Sequence, residues 1–189
     1  MGIRIFLNYR REDAEFAAGR LYDRLAQWFG PASVFMDVDD IDYGTDFAER
    51  IDKAMSTADV LIVLIGPRWA GPEDARRIEQ PNDFVRLEIE SALERNMLVI
   101  PVLIGGVSVP SEDELPPSLA PLSRRHGLKL EHATFDADVE DLIRSIRRTL
   151  GPRAAPSLGS PAVVAGVWVS WPSLPWLSCS RPSPCCSHR

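Results

Sequence analysis

Six aliphatic residues in a row, Val60-Leu61-Ile62-Val63-Leu64-Ile65, follow Asp59 and stop at Gly66-Pro67. A strand with one wet face alternates apolar and polar side chains. An unbroken run instead predicts a central strand covered on both faces, as in parallel sheets. A membrane-spanning helix would need about 18 apolar residues, and no stretch of the chain reaches that. The rest of the chain must therefore supply a layer on each side of this strand.

The flanking sequence provides the material. Ile3-Arg4-Ile5-Phe6-Leu7 and Ser33-Val34-Phe35-Met36 read as strands, and Met97 to Leu103 as another, broken by Pro101. Asp13 to Trp28 reads as a helix with Ala14, Ala17, Ala18, Leu21, Leu25 and Trp28 on one stripe. Further helices are predicted from Asp46 (Phe47, Ile51, Ala54, Met55), over Asp83 to Glu94, and over Asp138 to Leu150 through Val139, Leu142, Ile143 and Ile146. Pro110 to Pro121 is expected as loop and His132 to Phe135 as a weak last strand. Short strands alternating with helices imply right-handed crossovers and a parallel sheet. The expected fold class is α/β: a flavodoxin-like three-layer sandwich around a central parallel sheet of four to five strands. Ligands of such sheets bind beyond the carboxyl ends of the strands, where strand order switches. The loops after Leu7, Met36 and Ile65, and the helix reached from the last, are the ones to search.

Composition changes at Gly151. From there to Arg189 the chain holds seven prolines, eight serines, three of the five tryptophans and no Asp or Glu. Prolines at that density remove amide donors and break helices and central strands. Residues 1–150 are expected to form the folded domain, and 151–189 a Pro/Ser-rich tail without packed structure of its own. The apolar patch Val163 to Trp171 could serve as an interfacial or partner-binding segment. The only cysteines, Cys179, Cys185 and Cys186, lie in that tail, so no disulfide framework staples the body, and a cytoplasmic setting is expected. Arg4 and Asn8 interrupt the apolar residues of the N-terminus, and no signal-peptide core follows them. The 21 basic and 27 acidic residues give a formal net charge of -6, which argues against a nucleic-acid partner.

The loop after the first strand reads Asn8-Tyr9-Arg10-Arg11-Glu12-Asp13. Its two guanidinium forks could grip a phosphate or carboxylate; alternatively, the loop is a solvated turn in which Asp13 caps the next helix. The second loop carries Asp37, Asp39, Asp40 and Asp42 ahead of Tyr43-Gly44, but not at the spacing of a calcium loop. On a helical wheel over Asp83 to Glu94, Val85, Ile89 and Ala92 face inward and Glu90 faces solvent. Glu88 lies at the edge of the buried face, one turn after Phe84. A carboxylate beside an aromatic ring at the sheet's carboxyl edge is either an active-site group or an ordinary edge-of-face glutamate. His126, His132 and His188 have no metal-ligand spacing, so no metal site is expected. No phosphate-binding Gly-rich loop or Gly-x-Ser-x-Gly elbow is present, and Gly105-Gly106 reads as a turn. A phosphoacceptor receiver domain would need an aspartate ending the central strand and a lysine ending the last; Gly66 and Phe135 or Asp136 stand there in this reading.

In this order and spacing, three segments resemble the Toll/interleukin-1 receptor (TIR) domain over residues 1 to 150. Ile5-Phe6-Leu7-Asn8-Tyr9-Arg10-Arg11 resembles the family's first box, with Asn8 where serine is commoner. Phe35 to Gly44 resembles the second box, and Asp83-Phe84-Val85-Arg86-Leu87-Glu88-Ile89 the Trp-x-x-x-Glu stretch of enzymatic members, with phenylalanine replacing tryptophan. That branch cleaves the bond between nicotinamide and ribose in NAD+. The resemblance therefore implies NAD+ as substrate, no cofactor, and Glu88 as the catalytic glutamate. It further implies Arg10 and Arg11 on the pyrophosphate, Asp42 on the substrate loop, Phe84 against nicotinamide or ribose, and Asn8 and Tyr9 at the substrate. Phenylalanine keeps an aromatic face of smaller area; Asp37, Asp39 and Asp40 receive no role. The implied use is in defence against phage or as an effector on host signalling, acting in the cytoplasm or after secretion. Other members are non-catalytic scaffolds, and the resemblance also implies self-association or binding to other TIR domains.

Overall fold

The aliphatic run forms β3, Val60–Ile65, in which no residue is more than 2% exposed. In the computed structural model, which describes residues 2–36, 55–72 and 75–151, β3 is the middle strand of five. The others are β1 (Ile5–Asn8), β2 (Val34–Met36), β4 (Leu98–Leu103) and β5 (Leu128–Lys129), in the order β2-β1-β3-β4-β5. Every pairing is parallel. This order belongs to the flavodoxin-like doubly wound sheets, whose switch point lies between β1 and β3. There Leu7 pairs with Ile62 and Asn8 with Val63.

Successive strand residues face opposite layers, so the apolar run feeds two cores. Helices α1 (Arg11–Phe29) and, last in the chain, α4 (Phe135–Leu150) cover one face, packing Ala18, Leu21 and Leu25 with Val139, Ile143 and Ile146 against Leu7, Ile62 and Leu64. Helix α2 (Phe84–Glu94) and the short α3 (Ala120–Ser123) cover the other, where Val85, Ile89, Ala92 and Leu122 meet Phe6, Leu61 and Val63. Each of the valine, leucine, isoleucine and phenylalanine side chains contributes about 1.5–3 kcal/mol by leaving water. Charge follows the helix dipole in α4, with Asp136 and Asp138 in the first turn and Arg147 and Arg148 in the last.

Several expectations are corrected. Phe29, not Trp28, completes the inner stripe of α1: Phe29 is 7% exposed and Trp28 46%. The two lie four and three residues after Leu25, and the longer step keeps the stripe. Pro101 does not break β4; β5 pairs only with Val102 and Leu103, so β4 is an open edge at Pro101, where a missing donor is tolerated. Pro110 to Pro121 is not irregular throughout but contains the 3-10 turns Glu112–Glu114 and Pro117–Leu119 and the start of α3. The last strand is Leu128–Lys129, not His132 to Phe135, because Phe135 is claimed by the core as the first residue of α4. A lysine thus does end the last strand, and the receiver reading is excluded by Ile65 and Gly66 alone. Gly105 and Gly106 form the expected turn at φ +69° and +78°.

All described residues fall within one compact unit, Met1–Ser157. The acidic loop Asp37 to Thr45, most of the helix expected from Asp46, and the tail lie outside the described residues. Of that helix Met55–Thr57 is seen, with Met55 in the α2-side core.

Candidate active site

The strand alternation that builds the two cores continues past the end of β1. Leu7 and Tyr9 turn toward α1 and α4. Phe6 and Asn8 turn toward α2, and so does Arg10, just beyond the strand. A polar side chain entering an apolar layer needs partners, and both find them on or near α2.

Asn8 is fully buried and lies against the flank of α2. Its Nδ2 donates to the Val85 carbonyl at 3.1 Å and to Oε2 of Glu88 at 2.7 Å. Its Oδ1 has no hydrogen-bond partner among the described residues. Glu88 is itself only 6% exposed, so the helix-edge carboxylate of the sequence is an interior one at the β1 end of the switch point. Phe84, one turn earlier, is 52% exposed.

Arg10 is spent on the protein. Its Nη1 and Nη2 donate to the two carboxylate oxygens of Asp83 at 3.1 and 3.0 Å, and its Nε to the Trp69 carbonyl at 2.7 Å. Both side chains of the pair are 4% exposed. Asp83 is also the N-cap of α2, accepting from the Arg86 amide at 3.3 Å. Arg10 and Asn8 therefore tie the first turns of α2 to the end of β1.

The expected site residues separate accordingly. Asn8 meets Glu88, while Arg10 meets Asp83 and the Trp69 carbonyl instead; both Asn8 and Arg10 contact protein rather than open space. Tyr9 is 5% exposed in the opposite core, which removes it from this cluster. Arg11 is exposed at the start of α1. Asp42 lies outside the described residues. Asp13 does not cap α1; its Oδ1 accepts from the Arg68 amide at 2.9 Å, across Gly66. A Cβ at Gly66 would stand 2.8 Å from Asp13 Cγ, so a larger residue there would displace the Asp13 carboxylate. Glu90 is not turned to solvent: Arg86 Nε donates to it at 2.7 Å and the Ser118 hydroxyl also donates to it. Burial raises the Glu90 carboxyl pKa, but the Ser118 hydroxyl and Arg86 outweigh it and hold the group below the ordinary glutamate value.

Asp83 and Trp69 were not recognised from sequence as site-building residues. Strand alternation carried two residues past Asn8 would have put Arg10 inside, where a buried guanidinium demands a carboxylate. A cleft of about 720 Å³ opens beyond β3 and β4, walled by Gly66, Trp69, Arg76, Gly106, Ser108 and Glu114 among others; Glu88, Phe84, Arg10 and Arg11 are not in its wall.

Fold and cluster together define a flavodoxin-like α/β domain with two buried carboxylates beyond β1, Glu88 held by Asn8 and Asp83 paired with Arg10. A family model described as the TIR domain matches residues 5–143, and the chain belongs to that family. The NAD(+) hydrolase tir-1 of Caenorhabditis elegans is 26% identical over 164 residues, covering 85% of this chain and 16% of that protein. The chain thus spans about a sixth of the relative's length. Among solved structures, the TIR domains of the activated Roq1 resistosome, described as directly recognising the pathogen effector XopQ, superpose with a TM-score of 0.54 at 15% identity, covering 79% of this chain and 99% of theirs. A prokaryotic SEFIR domain superposes with a TM-score of 0.50 at 19% identity, covering 84% and 97%. Both likenesses concern the fold. Among the described residues no helix is long and apolar enough to cross a membrane.

Proposed function

We propose that this TIR domain hydrolyses NAD+ at the bond between nicotinamide and ribose, with Glu88 as the catalytic carboxylate. The observation that carries the reading is the burial of Glu88 at the switch point with a donor, Asn8, on its Oε2. Family membership and the resemblance to a protein named as an NAD(+) hydrolase support it.

One carboxylate suffices for this chemistry. Glycosidases usually add an acid to protonate the leaving group. Nicotinamide departs from a cationic pyridinium as a neutral molecule, so the demand is to stabilise positive charge on the ribose as the C–N bond breaks. A fixed carboxylate in a water-poor site does this without reorganising. Water then adds to the anomeric carbon, giving ADP-ribose and a proton; capture by the substrate's own adenine would give a cyclic product. Phe84 offers an exposed ring for nicotinamide or ribose. Of the two arginines, Arg11 is the one exposed for the pyrophosphate, while Arg10 sets the helix. Asp42 on the second loop and the context of cytoplasmic defence or signalling rest on the family alone.

The test is release of nicotinamide from NAD+ by the concentrated full-length chain. Wild type should turn over, and Glu88→Gln should lose at least about 10²-fold, the scale of removing one transition-state electrostatic contact. Full activity in a folded Glu88→Gln protein removes the assignment. A second reading is a non-catalytic scaffold that assembles with other TIR domains, for which Phe16, 91% exposed on α1, is a surface position to test. No turnover by wild type even when concentrated would leave that reading in place.

A further inference from the structure

We propose that Asn8 is the positioning residue for the Glu88 carboxylate, fixing its rotamer and favouring its ionised form; the inference rests on the catalytic reading of Glu88. Asn8 is the last residue of β1, held in register opposite Val63. Its amide therefore arrives on a rigid element and not on a loop. Both donations come from Nδ2, to Val85 O at 3.1 Å and to Glu88 Oε2 at 2.7 Å, about one helical turn apart on α2.

The orientation of this amide follows from its surroundings. Turned over, it would point Oδ1 at a carbonyl and a carboxylate, two acceptors at hydrogen-bond distance, with nothing to donate. In the orientation present, Oδ1 is buried without a partner among the described residues. Such an orphan is destabilising, and an aliphatic side chain of similar shape would avoid it. What the amide supplies in return is a donor to a buried carboxylate. A hydrogen bond to a charged group is stronger than a neutral one, and one made to the ionised form favours that form. A glutamate with three rotatable bonds is also confined to a single aim. Full burial of Asn8 leaves it no surface for substrate, which separates this role from the direct contact expected of the first box.

The experiment compares full-length wild type, Asn8→Leu and Asn8→Asp. Leucine keeps the branched shape and the number of heavy atoms, with somewhat more bulk, and removes the donor. Aspartate keeps the shape but places a second carboxylate within reach of Glu88, and two carboxylates so close cannot both ionise. In Asn8→Leu, kcat for nicotinamide release should fall by about 10- to 100-fold, with KM within about 2-fold of wild type. The acidic limb of kcat/KM should move to higher pH, and further in Asn8→Asp. A packing role alone would alter stability and leave that limb in place. Titration of the Glu88 carboxyl by carbon-13 NMR, assigned with Glu88→Gln, reads the same contact without turnover. An upward-moved midpoint in Asn8→Leu upholds the inference even if NAD+ proves not to be the substrate. An unmoved midpoint in the folded variants, with unchanged kcat, overturns it.

Discussion

Arg10 and Arg11 are neighbours in the chain, but only Arg10 enters the interior, where its fork meets Asp83 and Trp69. Removing one member of a buried pair strands the other, which costs about 3–5 kcal/mol. Arg10→Ala should therefore lower unfolding free energy in urea by about that amount, and lysine should not restore it, since one ammonium cannot serve three acceptors as a planar fork does. Arg11→Ala should leave stability within about 1 kcal/mol and raise KM for NAD+. A stability loss confined to Arg11→Ala would reverse the two roles. From sequence the arginines were equivalent, because a strand's alternation is visible only once its end is known. Glu88 was legible as an edge-of-face carboxylate from the wheel. Its partner was not, since Asn8 lies 80 residues away and nothing local pairs them.

Helix α2 is held on two flanks, by Asn8 and Arg10 on one and by the Arg86–Glu90–Ser118 contacts on the other. The folded-state pKa of Glu90 is depressed below the ordinary glutamate value of 4.5. A depressed carboxylate contributes stability that is present above the unfolded pKa and lost as pH falls through the folded one. Stability should fall as pH drops below about 4.5, and Glu90→Gln should flatten part of that fall while costing about 0.3–1 kcal/mol at neutral pH. Acid unfolding curves of identical shape for the two proteins would contradict the contact. The helix was legible from its period over Asp83 to Glu94; that Asp83 caps it emerges only from the structure. The last strand was not, because two residues carry too little pattern, and Phe135 reads as strand or helix until the core claims it.

The five-stranded order follows from elements that sequence could name: one two-sided strand, neighbours of the same kind, and helices between them. Sequence could not give the open edge at Pro101, which depends on how short β5 is. In the assembled molecule Phe16 stands 91% exposed on α1. If this surface joins copies of the chain, Phe16→Glu should shift sedimentation toward monomer at concentrations where wild type associates, and unchanged sedimentation would place the contact elsewhere. The truncation Ile62→Ala, at the centre of the sheet, should cost about 2–5 kcal/mol, read by thermal or urea unfolding.

The most direct measurement is the initial rate of nicotinamide release for wild type and Glu88→Gln, at equal protein concentration and with matching melting curves. The account predicts steady release by the first and at most about one hundredth of that by the second. Equal rates would contradict it.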